Sequence, residues 1–355
     1  MTPGADRTDQ IAAAVAAAAE AGQPLRPVGG DTKRDLGRAV EAEPLSLAGH
    51  AGIVEYEPTE LVVTARAGTP LDELESALAG RGQMLGFEPP HLGAAATLGG
   101  TVACGLSGPR RPYAGSARDF VLGVRLVNGR GQVLRFGGQV IKNVAGYDLS
   151  RLMTGAQGTL GVLLEVSLRV LPRPAVEVTL VQELDAGEAL ETMNRWAGRP
   201  LPISAACHDG GRLRVRLSGT ERGVRAARAV LGGEPDAEGE SWWRQLRERT
   251  LPFFGDGDAR CWRLAVAPAS PLPPGLPGQW LLDWGGAQRW YRGEAPVDAI
   301  REAARAAGGH AVRLGPGDDG PFHPLPDPVL ALHRRLKASF DPRGILNPGR
   351  LYAGL

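Results

Sequence analysis

Cysteine is scarce and poorly placed for chemistry in this chain of 355 residues: Cys104, Cys207 and Cys261 stand far apart and are odd in number. With no CxxC and no Cys/His pair at metal-site spacing, neither a disulfide framework nor an iron–sulfur ligand set is encoded. The three thiols read as small buried side chains in a reducing compartment. A charge excess is missing too, since 40 basic residues against 39 acidic ones give +1. That gives no electrostatic reason to expect nucleic acid or an anionic membrane surface as partner. No apolar run is long enough to cross a bilayer. The N-terminus has no leucine-rich signal core, because Asp6, Arg7, Asp9 and Glu20 bracket an alanine segment; a soluble, cytoplasmic chain is expected. Aromatics make up only 5%, and lysine occurs only at Lys33, Lys142 and Lys337, so arginine carries the positive charge.

What abounds is glycine (50) and proline (29), the residues of turns and close backbone contacts. The length suits two domains rather than one. A helix is expected over Thr8–Ala21, with Thr8 as N-cap and Gly22 ending it. A short strand from Leu25 to Val28 then feeds the Gly29-Gly30 turn. Thr69 as N-cap with Pro70 in the first position predicts a second helix, whose Leu71, Leu74 and Leu78 share one face. Strands are expected at Ile53–Tyr56, Leu61–Ala67, Val121–Val127, Gln132–Phe136 and Leu160–Leu171. Between them, Gly86–Gly115 has almost no periodicity, and a loop of that length inside a domain has a functional reason to exist. After Pro172-Arg173-Pro174, two rounds of strands and helices predict an antiparallel sheet with helices on one face, and Pro268–Pro277 reads as an exposed loop. The expected division is 1–174, 175–325, and a C-terminal segment 326–355 that returns to the first domain.

The informative residues cluster. Pro27-Val28-Gly29-Gly30-Asp31-Thr32-Lys33 offers consecutive backbone N–H groups of the kind that cradle a pyrophosphate. It is neither a Rossmann GxGxxG nor a Walker A loop, and on its own it is equally well a plain turn. Further on come Thr97-Leu98-Gly99-Gly100, Ser107-Gly108, Arg118-Asp119 and Gly158-Thr159-Leu160-Gly161. Small residues at such points let a backbone lie flat against a large ligand.

These five elements, in this order over residues 1 to about 174, resemble the FAD-binding domain of the vanillyl-alcohol oxidase family, the p-cresol methylhydroxylase type. Phe87-Glu88-Pro89-Pro90-His91, Gly108–Pro112, Arg135–Gly138, Lys142–Leu152 and Arg343–Leu351 are similar, more closely, to the E-subunit family of bacterial glycolate oxidases (glycolate dehydrogenases). The resemblance implies an α+β fold with a p-cresol methylhydroxylase-type FAD domain of two α+β subdomains, plus a smaller cap. It implies that Gly29, Gly30, Asp31, Thr32 and Lys33 line the pyrophosphate, and that Thr97, Gly99, Gly100, Ser107 and Gly108 line the ribityl chain and one ring edge. Gly158, Thr159, Gly161 and Val162 would run along the flavin. Asn347, in the Asn-Pro-Gly element, would fold back onto this domain, although it is equally a turn former.

Departures from the family limit the inference. The first loop has no histidine or cysteine for covalent flavin attachment, so noncovalent FAD is expected, with His91 and Cys104 as the remaining candidates. The histidine pair and Glu-His step of related 2-hydroxy-acid dehydrogenases are absent; His208, His310, His323 and His333 stand alone, so no metal site and no substrate base can be named. Arg110-Arg111 is either a carboxylate clamp or a partner for acids of the protein itself or of another subunit. The Trp242-Trp243 pair reads as packing. The implied function is the FAD subunit of a complex that oxidises glycolate, beside a D-type flavoprotein subunit and an iron–sulfur F-type subunit. A self-sufficient 2-hydroxy-acid dehydrogenase and a non-catalytic assembly subunit are the alternatives.

Overall fold

The computed structural model describes residues 5–139, 148–255, 261–315 and 320–355. The chain forms two units: Met1–Ser107 with Ser116–Arg173 and Pro324–Leu355, and Gly108–Gly115 with Pro174–His323.

The first unit is built on a five-stranded antiparallel sheet in the order Ile53–Glu57, Val62–Arg66, Val162–Arg169, Val121–Val127, Val133–Gly137. Its central strand, Val162–Arg169, is buried at every position but the last, as its near-continuous apolar run requires. The edge strand Val133–Gly137 instead alternates between exposed and half-buried positions. Helix Thr8–Ala21 buries Ile11, Val15 and Ala18, spaced by one turn, in a core with Leu25, Leu47, Val162 and Leu164. The expected cap shifts by one residue. Arg7 occupies the N-cap position, Thr8 is already helical, and the Asp6 carboxylate accepts from Thr8 N at 2.9 Å. In helix Leu71–Ala79 the cap shifts the other way, one residue later to Pro70, and the Thr69 hydroxyl is instead held by Gly52 N (2.9 Å) and Gly52 O (3.2 Å). The stretch expected to be an aperiodic loop contains helix Leu98–Cys104 and the single turn Arg111–Ala114, both too short to print a period.

The C-terminal segment closes this unit. Helix Asp327–Phe340 carries Lys337, which is buried and donates to Asp341 Oδ2 (2.7 Å), Thr159 O (2.8 Å) and Leu346 O (2.6 Å). Asp341 accepts in turn from Ile345 N and Leu346 N. Leu346 then forms a parallel bridge to Leu25, with Leu25 N donating to Ile345 O and Asn347 N to Leu25 O. The end of the chain is thereby the third member of a small parallel layer with Leu25–Val28 and Glu43–Ser46.

The second unit is an eight-stranded antiparallel sheet, ordered Glu234–Pro235, Val176–Glu183, Arg212–Gly219, Ile203–Asp209, Gln279–Asp283, Gln288–Arg292, Cys261–Ala265, His310–Arg313. Helices Ala186–Ala197 and Glu221–Leu231 bury Leu190, Met193, Trp196 and Val224 against one half of it. Helix Val297–Ala306 buries Ile300 and Ala304 against the other. The proline-rich segment 268–277 is not simply exposed. Arg289, fully buried, donates to Gly286 O (3.0 Å) and Pro271 O (2.8 Å) and to Ser270 O, which ties the segment down.

Lys337→Met leaves Asp341 as a buried, uncompensated charge and is expected to cost about 3–5 kcal/mol. The double change Lys337→Met with Asp341→Leu should recover part of that loss. Urea denaturation of the full chain reads both, and a single variant within about 1 kcal/mol of the parent would show that the pair holds nothing.

Candidate functional site

Strand Leu25–Val28 delivers the chain into the Gly29–Lys33 loop, and the loop's place is dictated by contact with Ala95–Thr97. A Cβ on Gly29 would sit 2.1 Å from Thr97 Oγ1, and one on Gly30 would sit 1.5 Å from the Ala95 carbonyl oxygen. Gly99 is closed in the same way, by Ala67 Cβ at 2.6 Å. These glycines are therefore required by the protein's own neighbouring atoms, side chain at Gly29 and backbone at Gly30. Gly100 and Gly158 differ: a Cβ on Gly100 meets only Thr97 Oγ1, at 3.3 Å, and one on Gly158 meets Asn347 Nδ2 at 3.1 Å.

Pinned this way, the loop presents donors. Among the described residues, the backbone N–H groups of Gly29, Gly30, Asp31 and Thr32 form no hydrogen bond. Asp31 adopts a left-handed φ of 55°, and its carboxylate holds two guanidiniums, Arg26 Nη1 at 2.9 Å and Arg34 Nε at 2.8 Å. Its negative charge is thus committed to positioning two cations at the loop. Thr32 Oγ1 and Lys33 Nζ both donate to the His91 carbonyl, at 2.8 and 2.9 Å. The His91 ring lies between Asp72 (3.0 Å) and Glu75 (3.1 Å), a group of three whose donor atoms fall within 4.8 Å of one another. Both ring nitrogens of His91 thus face carboxylates.

The C-terminal return completes the site. Asn347, at φ 44°, donates from Nδ2 to Gln157 O at 2.6 Å, while its Oδ1 is buried and accepts nothing among the described residues. Arg350 is buried and bonds Gln157 Oε1 (3.0 Å), Arg38 O (2.7 Å), Arg34 O (2.8 Å) and Lys33 O (3.3 Å). Burial pushes its guanidinium pKa down. The cavity so formed encloses about 800 Å³ of empty space, part of it open to solvent. Eleven of the residues expected from sequence line it: Gly29, Gly30, Asp31, Thr32, Lys33, Thr97, Gly99, Gly100, Gly158, Gly161 and Asn347.

Four expected residues lie outside the lining. Ser107 Oγ accepts from Ala117 N, the Gly108 carbonyl accepts from Trp284 Nε1, Thr159 is bonded to Lys337 and Ala156, and Val162 is core. Residues 140–147, which hold most of the Lys142–Leu152 motif, are outside the described residues. Sequence reasoning missed Arg26, Arg34, Gln157 and Arg350 in the lining, and named Cys104 only as a candidate for flavin attachment. Of these, Arg350 had a signal, since it directly follows the Asn-Pro-Gly element.

A row of unsatisfied N–H groups beside two guanidiniums suits a diphosphate, and a buried acceptor at Asn347 suits a ligand N–H or hydroxyl. The glycolate oxidase subunit GlcE of Escherichia coli K12 is 52% identical over 332 residues, 94% of this chain and 93% of that one. The chain belongs to the GlcE family. Residues 4–137 match the FAD binding domain family, and 325–351 match the C-terminal domain of the FAD-linked oxidases. The glycolate oxidase subunit GlcD of Bacillus subtilis is 29% identical over 71% of this chain and 54% of its own length. The crystal structure of p-cresol methylhydroxylase superposes with a TM-score of 0.71 at 17% identity, covering 98% of this chain and 87% of that one, which shows the shared fold. This GlcE-family chain is therefore an FAD-dependent oxidoreductase subunit of α+β fold. Within it the Gly29–Arg34 loop, Thr97–Cys104 and Asn347 fall inside the two matched regions, whereas Gln157, Gly158 and Gly161 fall between them.

Gly30→Ala forces a methyl into a backbone carbonyl, so this variant should lose more than about 3 kcal/mol of stability or fail to fold. Gly100→Ala should melt within a few degrees of the parent. Thermal melting of the two side by side decides it, and equal melting temperatures would show the 29–30 and 95–97 contact to be soft.

Proposed function

We propose that this chain is the FAD-holding E-type subunit of a glycolate oxidase complex, in which glycolate is oxidised to glyoxylate and electrons pass to an iron–sulfur partner. The observation that carries this reading is the 52% identity along 94% of the chain, together with the donor-lined cleft. In this reading the N–H groups of Gly29–Thr32, with Arg26 and Arg34, hold the pyrophosphate. Thr97, Gly99 and Gly100 flank the ribityl chain, and Gly158 and Gly161 run beside the ring. Asn347 Oδ1 accepts from the flavin. Thr159 and Val162 act from behind, Thr159 through the Lys337 bond and Val162 as core; Ser107 and Gly108 hold the following turn. The bound isoalloxazine supplies a hydride acceptor.

Among the described residues the cleft lining offers no free proton acceptor for the substrate alcohol. Asp31 is the sole carboxylate among the described residues of its lining and there is no histidine there, and Asp31 is occupied by two arginines. Removing a hydride from glycolate needs a base at the hydroxyl. This supports a division of labour with a D-type flavoprotein subunit and an iron–sulfur F-type subunit in a hetero-oligomer. Among the described residues no helix is long and apolar enough to cross a membrane. In this reading the chain works in the cytoplasm, held at the inner membrane, if at all, by its partners.

FAD is held without a covalent bond in this reading, since the first loop has no histidine or cysteine and no histidine is among the described lining residues. Acid precipitation of the purified chain should leave all yellow colour in the supernatant; colour in the pellet would count against this and would point to Cys104. The isolated, FAD-loaded chain should not bleach on anaerobic addition of glycolate. Rapid, saturating bleaching would replace the subunit reading with that of a self-sufficient dehydrogenase.

A further inference from the structure

Arg350 joins three parts of the first unit that lie far apart in sequence. Its Nη1 donates to Arg38 O (2.7 Å), its Nη2 to Arg34 O (2.8 Å) and Lys33 O (3.3 Å), and its Nε to Gln157 Oε1 (3.0 Å). The loop answers in kind, with Arg38 N donating to Arg350 O at 2.9 Å. Gly37 shows how closely it wraps the guanidinium. Its φ is 98°, and a Cβ there would sit 2.6 Å from Gln157 Oε1 and 3.0 Å from Arg350 Nε. Four acceptors set around one plane suit a guanidinium fork; an ammonium, with three donors on a single nitrogen, cannot reach them all.

The segments that Arg350 joins both line the cleft. Lys33 and Arg34 end the loop whose amides from Gly29 to Thr32 are unpaired among the described residues. Gln157 leads directly into Gly158 and Gly161. Gln157 is gripped twice from the same C-terminal turn: its carbonyl accepts from Asn347 Nδ2 at 2.6 Å, and its side chain accepts from Arg350. Arg350 N in turn donates to Asn347 O at 3.1 Å, which fixes the turn itself. A dinucleotide long enough to touch both segments must find them at one spacing. Setting that spacing before the ligand arrives removes the cost of ordering them on binding.

We propose that Arg350 is a positioning residue for FAD, acting through the Lys33, Arg34 and Arg38 carbonyls on one side and the Gln157 amide on the other. The inference rests on the placement of FAD in this cleft proposed above.

The test strips FAD from the full chain and measures its rebinding by flavin fluorescence, with melting read with and without saturating FAD. Arg350→Lys is expected to bind FAD at least tenfold more weakly, equivalent to about 1.4 kcal/mol. The rise in melting temperature that FAD produces should shrink with it. Gln157→Met should weaken FAD in the same direction, and the double variant should lose less than the sum of the two, because each single change breaks the same link. A merely structural arginine would lower both melting temperatures equally and leave FAD affinity unchanged; that result, or additive losses, would overturn the proposal. Should Arg350→Lys not fold, Gln157→Met carries the test alone, and unchanged affinity in it would be equally fatal. Arg34→Glu, which reverses a charge at the loop and keeps the Arg34 carbonyl, separates the two readings. If it weakens FAD while Arg350→Lys does not, the cleft stands and the positioning role falls. If neither changes FAD affinity, the placement of FAD in this cleft falls, and the positioning role with it.

Discussion

The approach of Gly29 and Gly30 to Ala95–Thr97 is the contact on which the first unit's chemistry depends. Two chain segments meet there at a distance that excludes even a methyl group. The consequence is electrostatic as much as steric. Once the loop is pressed against its neighbour, its amide N–H groups cannot turn back into a helix or a ladder, and they are left facing the cavity. An unmade hydrogen bond on a partly buried amide is costly, so the loop stores an affinity for whatever anion can satisfy several amides at once. Asp31 contributes by the opposite sign: a carboxylate in an anion site is useful only because it gathers Arg26 and Arg34 around the same loop.

The second determinant arrives from the far end of the chain. Helix Asp327–Phe340 would be a surface appendage but for Lys337, whose ammonium meets two carbonyls and one carboxylate in a buried position. That knot sets the path of residues 341–346, which sets Leu346 beside Leu25, which in turn brings Asn347 and Arg350 to the cleft. Segments more than 300 residues apart thus share one wall, and the site exists only when both are folded.

Much of this was legible in the amino-acid sequence, for physical reasons. Glycines 29, 30, 99 and 100 stood out because close packing and open backbone leave a compositional mark. Asn347 stood out because an Asn-Pro-Gly element has few uses other than a sharp turn. The α+β architecture followed from strand patterns that the sheets obey. Distance in sequence hid the rest. Nothing local tells that Arg350 will grip the carbonyls of Lys33, Arg34 and Arg38, or that Gln157 will accept from it. The purpose of the glycines was also not the one that composition suggests: at 29, 30 and 99 the missing side chain makes room for protein rather than for ligand. Thr159 and Val162 sit in a motif that touches the cleft at Gly158 and Gly161, but the Thr159 carbonyl is taken by Lys337 and Val162 belongs to the core.

The preference for arginine over lysine then acquires a structural meaning. Of the two lysines among the described residues, both are buried and spend their ammonium on carbonyl oxygens. Arginine does the longer-range work: Arg350 joins the C-terminal return to the first loop, and Arg289 holds the proline-rich segment, each by several carbonyls at once. A planar fork with five donors can crosslink loops that no strand pairing reaches, which suits a chain with 50 glycines and 29 prolines. A guanidinium committed to carbonyls still keeps its full charge. A nearly neutral protein thereby concentrates positive potential around its first glycine turn. Local charge of that kind, not net charge, decides where an anionic ligand is held.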